Sequence, residues 1–154
     1  MGLKDFIKPE LIKMELESQD KEGVIKELIK LLKEQDYITD EKSVFQSAME
    51  REEKSTTGIG NGIAIPHVKS KAVKKPAIVF GRSKKGINFQ SLDKKPSYLF
   101  FLIAAPEKSK DQHLKLLAKL SRMLVHEDFR EALLQVSTPE GLREVIVVRE
   151  NSFK

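Results

Sequence analysis

The stretch "PSYLFFLIAAP", Pro96 to Pro106, decides the fold class. A proline bounds it at each end, and branched and aromatic residues fill it, as a β-strand requires. Apolar side chains occupy both the odd and the even positions from Leu99 to Ala105. Successive side chains of a strand point to opposite faces, so this strand expects an apolar layer above and below it. The run is far too short to span a bilayer.

Working outward, "PAIVFGRSK" (Pro76–Lys84) is a second β-type run. "LIKMELE" (Leu11–Glu17) alternates in part and predicts a short strand. In "SQDKEGVIKELIKLLKEQ" (Ser18–Gln35), Val24, Ile25, Leu28, Ile29, Leu31 and Leu32 fall at helical spacing, with Ser18 or Asp20 as cap. "TDEKSVFQSAMEREEK" predicts a second helix, capped by Thr39 or Asp40, with Val44, Phe45, Ala48 and Met49 facing inward. "SKDQHLKLLAKLSRMLV" (Ser109–Val125) is the clearest helix. Ser109 and Gln112 fit a capping box that starts it near Lys110, and Leu114, Leu117, Leu120 and Leu124 form its expected buried stripe. "HEDFREALLQ" follows as another helix. "TPEGLREVIVV" closes the series, with Thr138 as cap and Pro139 at the first helical position. The order predicts an α/β fold: a three-layer α/β/α sandwich whose mixed sheet is flanked by helices. No linker or repeat divides residues 1–154, so one domain is expected.

Composition narrows the chemistry. Cysteine is absent, which excludes disulfides, thiol nucleophiles and cysteine-based zinc sites. No signal peptide or membrane-spanning run is visible, so a cytoplasmic protein with no direct membrane insertion is expected. The net charge of +5 comes largely from "KSKAVKK" (Lys69–Lys75) and "RSKK" (Arg82–Lys85). Such runs can attract phosphate or nucleic acid, or simply solvate strand edges. Acidic residues are dense elsewhere and no RNA-binding or helix-turn-helix signature is present, so no nucleic acid is expected as a partner.

The candidate site lies in "GIGNGIAIPHVKS", Gly58 to Ser70. Gly58, Gly60 and Gly62 match neither the P-loop nor the dinucleotide fingerprint. Pro66 holds Ile65 extended, so the glycines feed a short strand rather than a phosphate-binding helix. His67 then emerges with a pre-set direction. A lone histidine is more often structural than active. Here proline and glycine fix its backbone and Lys69 and Lys71 add positive charge, and a neutral imidazole open to solvent is a good nucleophile towards phosphorus. His113 falls in the first turn of the best-marked helix, where unpaired amides favour an anion; a packed or solvated role is the alternative. His126, beside Glu127 and Asp128, reads as structural. No metal site is expected, because no third ligand has convincing spacing.

"TGIGNGIAIPH" (Thr57–His67), followed by "DQHLKLLAKLS" (Asp111–Ser121), resembles the type-2 EIIA domain of the bacterial phosphoenolpyruvate-dependent sugar phosphotransferase system, the mannitol/fructose class. The resemblance covers essentially the whole chain. It implies that His67 takes a phosphoryl group from the phosphocarrier HPr and passes it to a cysteine of an EIIB component. It implies that His113 is the second active-site histidine and that Arg51, in "MEREEKSTTG", is the arginine ahead of the glycine run. Gly58, Gly60, Asn61 and Gly62 would let backbone approach the phosphoryl group. No cofactor is called for, since a phosphohistidine already carries the transfer potential. The same motifs occur in fructose- and mannitol-type transport domains and in nitrogen-linked EIIA regulators that act by phosphorylation-dependent binding. The chain is expected to be either a stand-alone component or a domain of a longer polypeptide.

Overall fold

The computed structural model describes residues 2–109 and 112–152, the side chains of Gln112 and His113 excepted. The elements are β1 (Ile12–Lys13), α1 (Lys21–Glu34), α2 (Glu41–Lys54), β2 (Gly58–Gly60), β3 (Ile63–Ala64), β4 (His67–Ser70), β5 (Ala77–Ile87), β6 (Ser97–Pro106), α3 (Gln112–Leu124), α4 (Glu127–Gln135) and α5 (Pro139–Ser152).

The Pro96–Pro106 run forms β6, the central strand. It pairs antiparallel with β5 and parallel with β3 and β4. The sheet order is β1-β5-β6-β3-β2, with β4 continuing along β6 where β3 stops. Phe100, Leu102 and Ala104 face α1 and α2, against Leu28, Leu32, Val44 and Ala48. Leu99, Phe101 and Ile103 face α3, α4 and α5, against Leu120, Met123, Phe129 and Ile146. The mixed sheet therefore lies between two helical layers, as the two-sided apolar run predicts. Each large side chain buried this way contributes about 1.5–3 kcal/mol.

Asp20 and Asp40, rather than Ser18 and Thr39, cap α1 and α2, accepting from Gly23 N at 2.8 Å and Ser43 N at 3.1 Å. Thr138 caps α5 through Gly141 N, with Pro139 at the first helical position. Two expectations are corrected. The strand expected over Leu11–Glu17 is reduced to Ile12–Lys13, because Pro9–Leu11 forms a 3₁₀ turn and only two residues align with β5. The α3 stripe is rotated: Leu114 is 52% exposed, while Leu116, Leu120, Met123 and Leu124 are buried. Both sets fit a helical period, and docking against the sheet selects the second. The described part of α3 runs from Gln112, so its expected start near Lys110 lies outside the described residues, and the Ser109 hydroxyl donates to the Pro106 carbonyl. The Gln112 side chain of the expected capping box, with Lys110 and Asp111, lies outside the described residues.

Arg82 links the layers. It is only 5% exposed, and its guanidinium donates to the carbonyls of Met14, Leu133, Leu134 and Val136. A cation at the C-terminal end of α4 satisfies carbonyls that the helix itself leaves unpaired. Arg82→Met keeps most of the buried stem but strands those acceptors. It should destabilise the fold by about 2–4 kcal/mol in denaturant titration. A loss under about 0.5 kcal/mol would show that these contacts are energetically idle.

Candidate functional site

The site is assembled where β3 gives way to β4. Gly58–Gly60 and Ile63–Ala64 pair as an antiparallel hairpin. Its tip, Gly60, Asn61 and Gly62, has three successive positive φ angles of 99°, 58° and 78°. A backbone turned this way strongly favours glycine and tolerates asparagine, which accounts for the sequence of the tip. Pro66 then interrupts the strand while its carbonyl still accepts from Ile103 N at 2.9 Å, so the ladder on β6 is carried across the break. His67 opens β4 immediately after it.

From the other side, α2 brings Arg51 in its last turn. Arg51 Nε donates to His67 Nε2 at 3.0 Å, and Arg51 Nη1 donates to the Ser55 carbonyl at 3.0 Å. His67 Nδ1 lies 3.1 Å from the Ile65 carbonyl. A guanidinium can only donate, so Nε2 carries the lone pair. The proton is then on Nδ1, donated to Ile65. One tautomer is selected by two partners of opposite character. Burial, first, and the Arg51 charge hold the half-buried imidazole below its usual pKa, against the opposing effects of the Ile65 carbonyl and Glu52. His67 is therefore neutral at pH 7, with its lone pair on the nitrogen that faces Arg51.

The structure thus brings Arg51 and His67 into direct contact. Lys69 lies two residues along β4 on the same face as His67 and is exposed, as is Lys71 beyond the strand. His113 falls in the first turn of α3, and its side chain lies outside the described residues. His126 precedes α4 at the far end of α3, about 20 Å of helix from that first turn. Gly60, Asn61 and Gly62 are not brought to the imidazole. Ile63 pairs with Leu99 and His67 with Ile103, so about 13 Å of strand separates the hairpin from the ring. Two of the expected backbone donors are also used internally: Gly58 N donates to Thr56 Oγ1 and Asn61 N to Asp93. The glycine run shapes the hairpin that precedes the histidine. Among the described residues no group of three or more His, Asp or Glu side chains could hold a metal ion, and no helix is long and apolar enough to cross a membrane.

Sequence reasoning missed Glu52. It is 5% exposed and accepts from Thr57 N at 2.8 Å, Thr57 Oγ1 at 2.6 Å and Lys21 Nζ at 2.9 Å. In "EREEK" nothing separates it from its exposed neighbours Glu50 and Glu53. Only the helix's orientation turns it inward.

Residues 5–147 match the family model described as the phosphoenolpyruvate-dependent sugar phosphotransferase system, EIIA 2. The chain belongs to this family. It is 41% identical over 137 residues to the fructose-specific EIIA component of Haloferax volcanii, covering 89% of each chain. It is 39% identical over 146 residues to the fructose-specific EIIABC component of Bacillus subtilis, covering 95% of this chain but 23% of that protein. Among solved structures, the nitrogen regulatory protein IIA-Ntr of Neisseria meningitidis superposes with a TM-score of 0.86 at 30% identity, covering 93% of this chain and 97% of that one. The three-layer mixed-sheet fold is the fold of these EIIA proteins.

Because Arg51 opposes protonation of His67, Arg51→Met should raise the imidazole midpoint in an NMR titration. It should stay below that of a free histidine, since burial, the larger cause, persists. The sign for stability follows: this site's contribution is present above the unfolded imidazole pKa of about 6.5 and is lost as pH falls towards the lower folded value. An unchanged or lower midpoint in the variant would contradict the assigned contact.

Proposed function

We propose that this EIIA chain carries a phosphoryl group on His67 Nε2, taken from phospho-HPr and passed to the cysteine of an EIIB component, in the uptake of a fructose-type sugar. The observation that carries the reading is the neutral imidazole with Nδ1–H anchored on Ile65 and Nε2 on Arg51. A nucleophile towards phosphorus needs a fixed lone pair and a nearby cation, and this arrangement supplies both.

In the first transfer, the Nε2 lone pair attacks phosphorus and a P–N bond forms. The P–N bond to the donor imidazole breaks, and its electron pair stays on the donor nitrogen. Arg51 Nε–H rests on the attacking lone pair, so it moves to the incoming phosphoryl oxygens as attack begins. Its bond to Nε2 is exchanged for a charge-assisted bond where negative charge is concentrated. The Nδ1 proton stays on the ring, and the Ile65 carbonyl stabilises the positive charge the ring acquires. In the second transfer a thiolate attacks phosphorus, the pair returns to Nε2, and Arg51 closes on it again. His113 acts as a second donor to the phosphoryl oxygens, with orientation as its role. The fructose-type assignment rests on the two fructose-specific relatives, at 41% and 39% identity. The fold of a nitrogen regulatory protein favours a second reading, in which phosphorylation switches binding to another protein.

His67→Ala should abolish labelling by phospho-HPr, and His113→Ala should still accept label. Stoichiometric label on the His67→Ala protein would overturn the assignment. A panel of purified EIIB components separates the two readings: rapid transfer to a sugar-specific EIIB marks transport, and phosphorylation-dependent binding without transfer marks regulation.

For His113, Gln preserves a donor at similar reach and Ala removes it. The Gln variant should retain more transfer to EIIB than the Ala variant, with His67 phosphorylated in both. Wild-type transfer rates in both would make His113 a bystander.

A further inference from the structure

The buried ion pair between Glu52 and Lys21 lies beside the site, and the mechanism above leaves it unused. Side-chain exposure is 2% for Glu52 and 14% for Lys21. Burying two charges costs several kcal/mol of desolvation unless further hydrogen bonds complete the site. Here they do, and they run in one direction. Glu52 accepts both the amide and the hydroxyl of Thr57. The Thr57 carbonyl accepts from Ile65 N at 2.9 Å. The Ile65 carbonyl holds His67 Nδ1. The carboxylate is thus connected to the imidazole through the backbones of two residues, Thr57 and Ile65. Lys21 Nζ also lies 3.4 Å from Thr56 Oγ1, whose hydroxyl donates to the Phe89 carbonyl, and it sits 4.8 Å from the Phe89 ring centroid. The segment 56–57 is therefore pinned from α1, from α2 and from the loop before β6. Glu52 also follows Arg51 in the last turn of α2, so the carboxylate that fixes the Ile65 carbonyl fixes the helix end that delivers the guanidinium.

We propose that Glu52, held by Lys21, is a positioning residue for phosphoryl transfer. Through Thr57 and Ile65 it sets the tautomer and orientation of His67, and so which ring nitrogen is phosphorylated. This rests on His67 being the phosphoacceptor. When the carboxylate is lost, the 56–57 segment loosens and the Ile65 carbonyl no longer selects the Nδ1–H tautomer. The alternative tautomer then places a lone pair on Nδ1, and the phosphoryl group can be bonded there with the same P–N exchange.

The test uses Glu52→Gln, Lys21→Met, Thr57→Val and the conservative Thr57→Ser in the full chain. Glu150→Gln serves as a stability control. Glu150, on α5, is another buried carboxylate, 7% exposed, which accepts from Leu3 N and Lys119. Nitrogen-15 NMR of unphosphorylated His67 reads the tautomer directly, without any donor. Phosphorus-31 and nitrogen-15 NMR after labelling with phospho-HPr read the phosphorylated nitrogen, and rapid quench reads the transfer rate. In wild type, Nδ1–H should dominate and the label should sit on Nε2. In Glu52→Gln, Lys21→Met and Thr57→Val, both tautomers should be populated and part of the label should move to Nδ1. The saturating transfer rate should fall at least tenfold, with KM for phospho-HPr within twofold of wild type. Thr57→Ser should restore the wild-type pattern. A pure Nδ1–H tautomer with unchanged rate in Glu52→Gln and Thr57→Val would overturn the proposal. So would the same shifts in Glu150→Gln at equal loss of stability. A wild-type protein that takes no label on His67 would defeat the proposed function instead, and the tautomer measurement would still decide the role of Glu52.

Discussion

β6 has no polar face, and the rest of the architecture follows from that. Leu99, Phe101 and Ile103 point one way and Phe100, Leu102 and Ala104 the other, all at most 1% exposed. A strand of this kind is stable only between two apolar layers. The helices before the sheet supply one layer and those after it the other. Paired aromatic rings, Phe80 with Phe101 and Phe89 with Phe100, lock one layer each at centroid separations of 5.0 and 5.5 Å. Because β6 is held on both faces, its backbone is a rigid rail along which β3 and β4 are laid.

The site exploits a defect in that rail's partner. A continuous strand would bury His67 in a regular ladder, with its backbone groups committed and its side chain directed by the pleat alone. Pro66 has no amide hydrogen, and it constrains Ile65 to an extended conformation. Across the hairpin the Thr57 amide that opposes Ile65 is taken by Glu52, so the Ile65 carbonyl is left to accept the imidazole. The ring is oriented by its own backbone two residues upstream. A side chain positioned this locally does not depend on the long loops that usually carry functional groups, and one of the two bonds that select its tautomer comes from its own strand. Arg51 closes the other side from a separate layer, so the site forms only when α2 is docked on the sheet.

That division decides what could be read beforehand. The period of Val24–Leu32, the prolines around β6, and the Asp20, Asp40 and Thr138 caps are local patterns, and each element appears where its pattern places it. The rotation of α3 was not legible. Leu114 and Leu116 are equivalent to any local rule, and only the sheet distinguishes them by taking one and leaving the other exposed. The glycine run was legible as a special backbone but not in its use. Its positive φ angles turn a hairpin about 13 Å away from the imidazole, a distance set by the register of β3 and β4 on β6.

The sequence by itself determined the two-sided sheet, the helical layers and the exit of His67 from a glycine- and proline-constrained segment. These are properties of neighbours along the chain: side-chain period, fixed φ at proline, freedom at glycine. Tertiary structure alone decided the state of the imidazole and its company. Neutral His67 depends on burial and on a guanidinium sixteen residues away, bonded to it at 3.0 Å. Glu52, one glutamate among several in its helix, becomes a buried anchor because α2 turns it towards Lys21 of α1 and Thr57. Electrostatic environment is a property of through-space distance and solvent exclusion, and no reading of adjacent residues contains either.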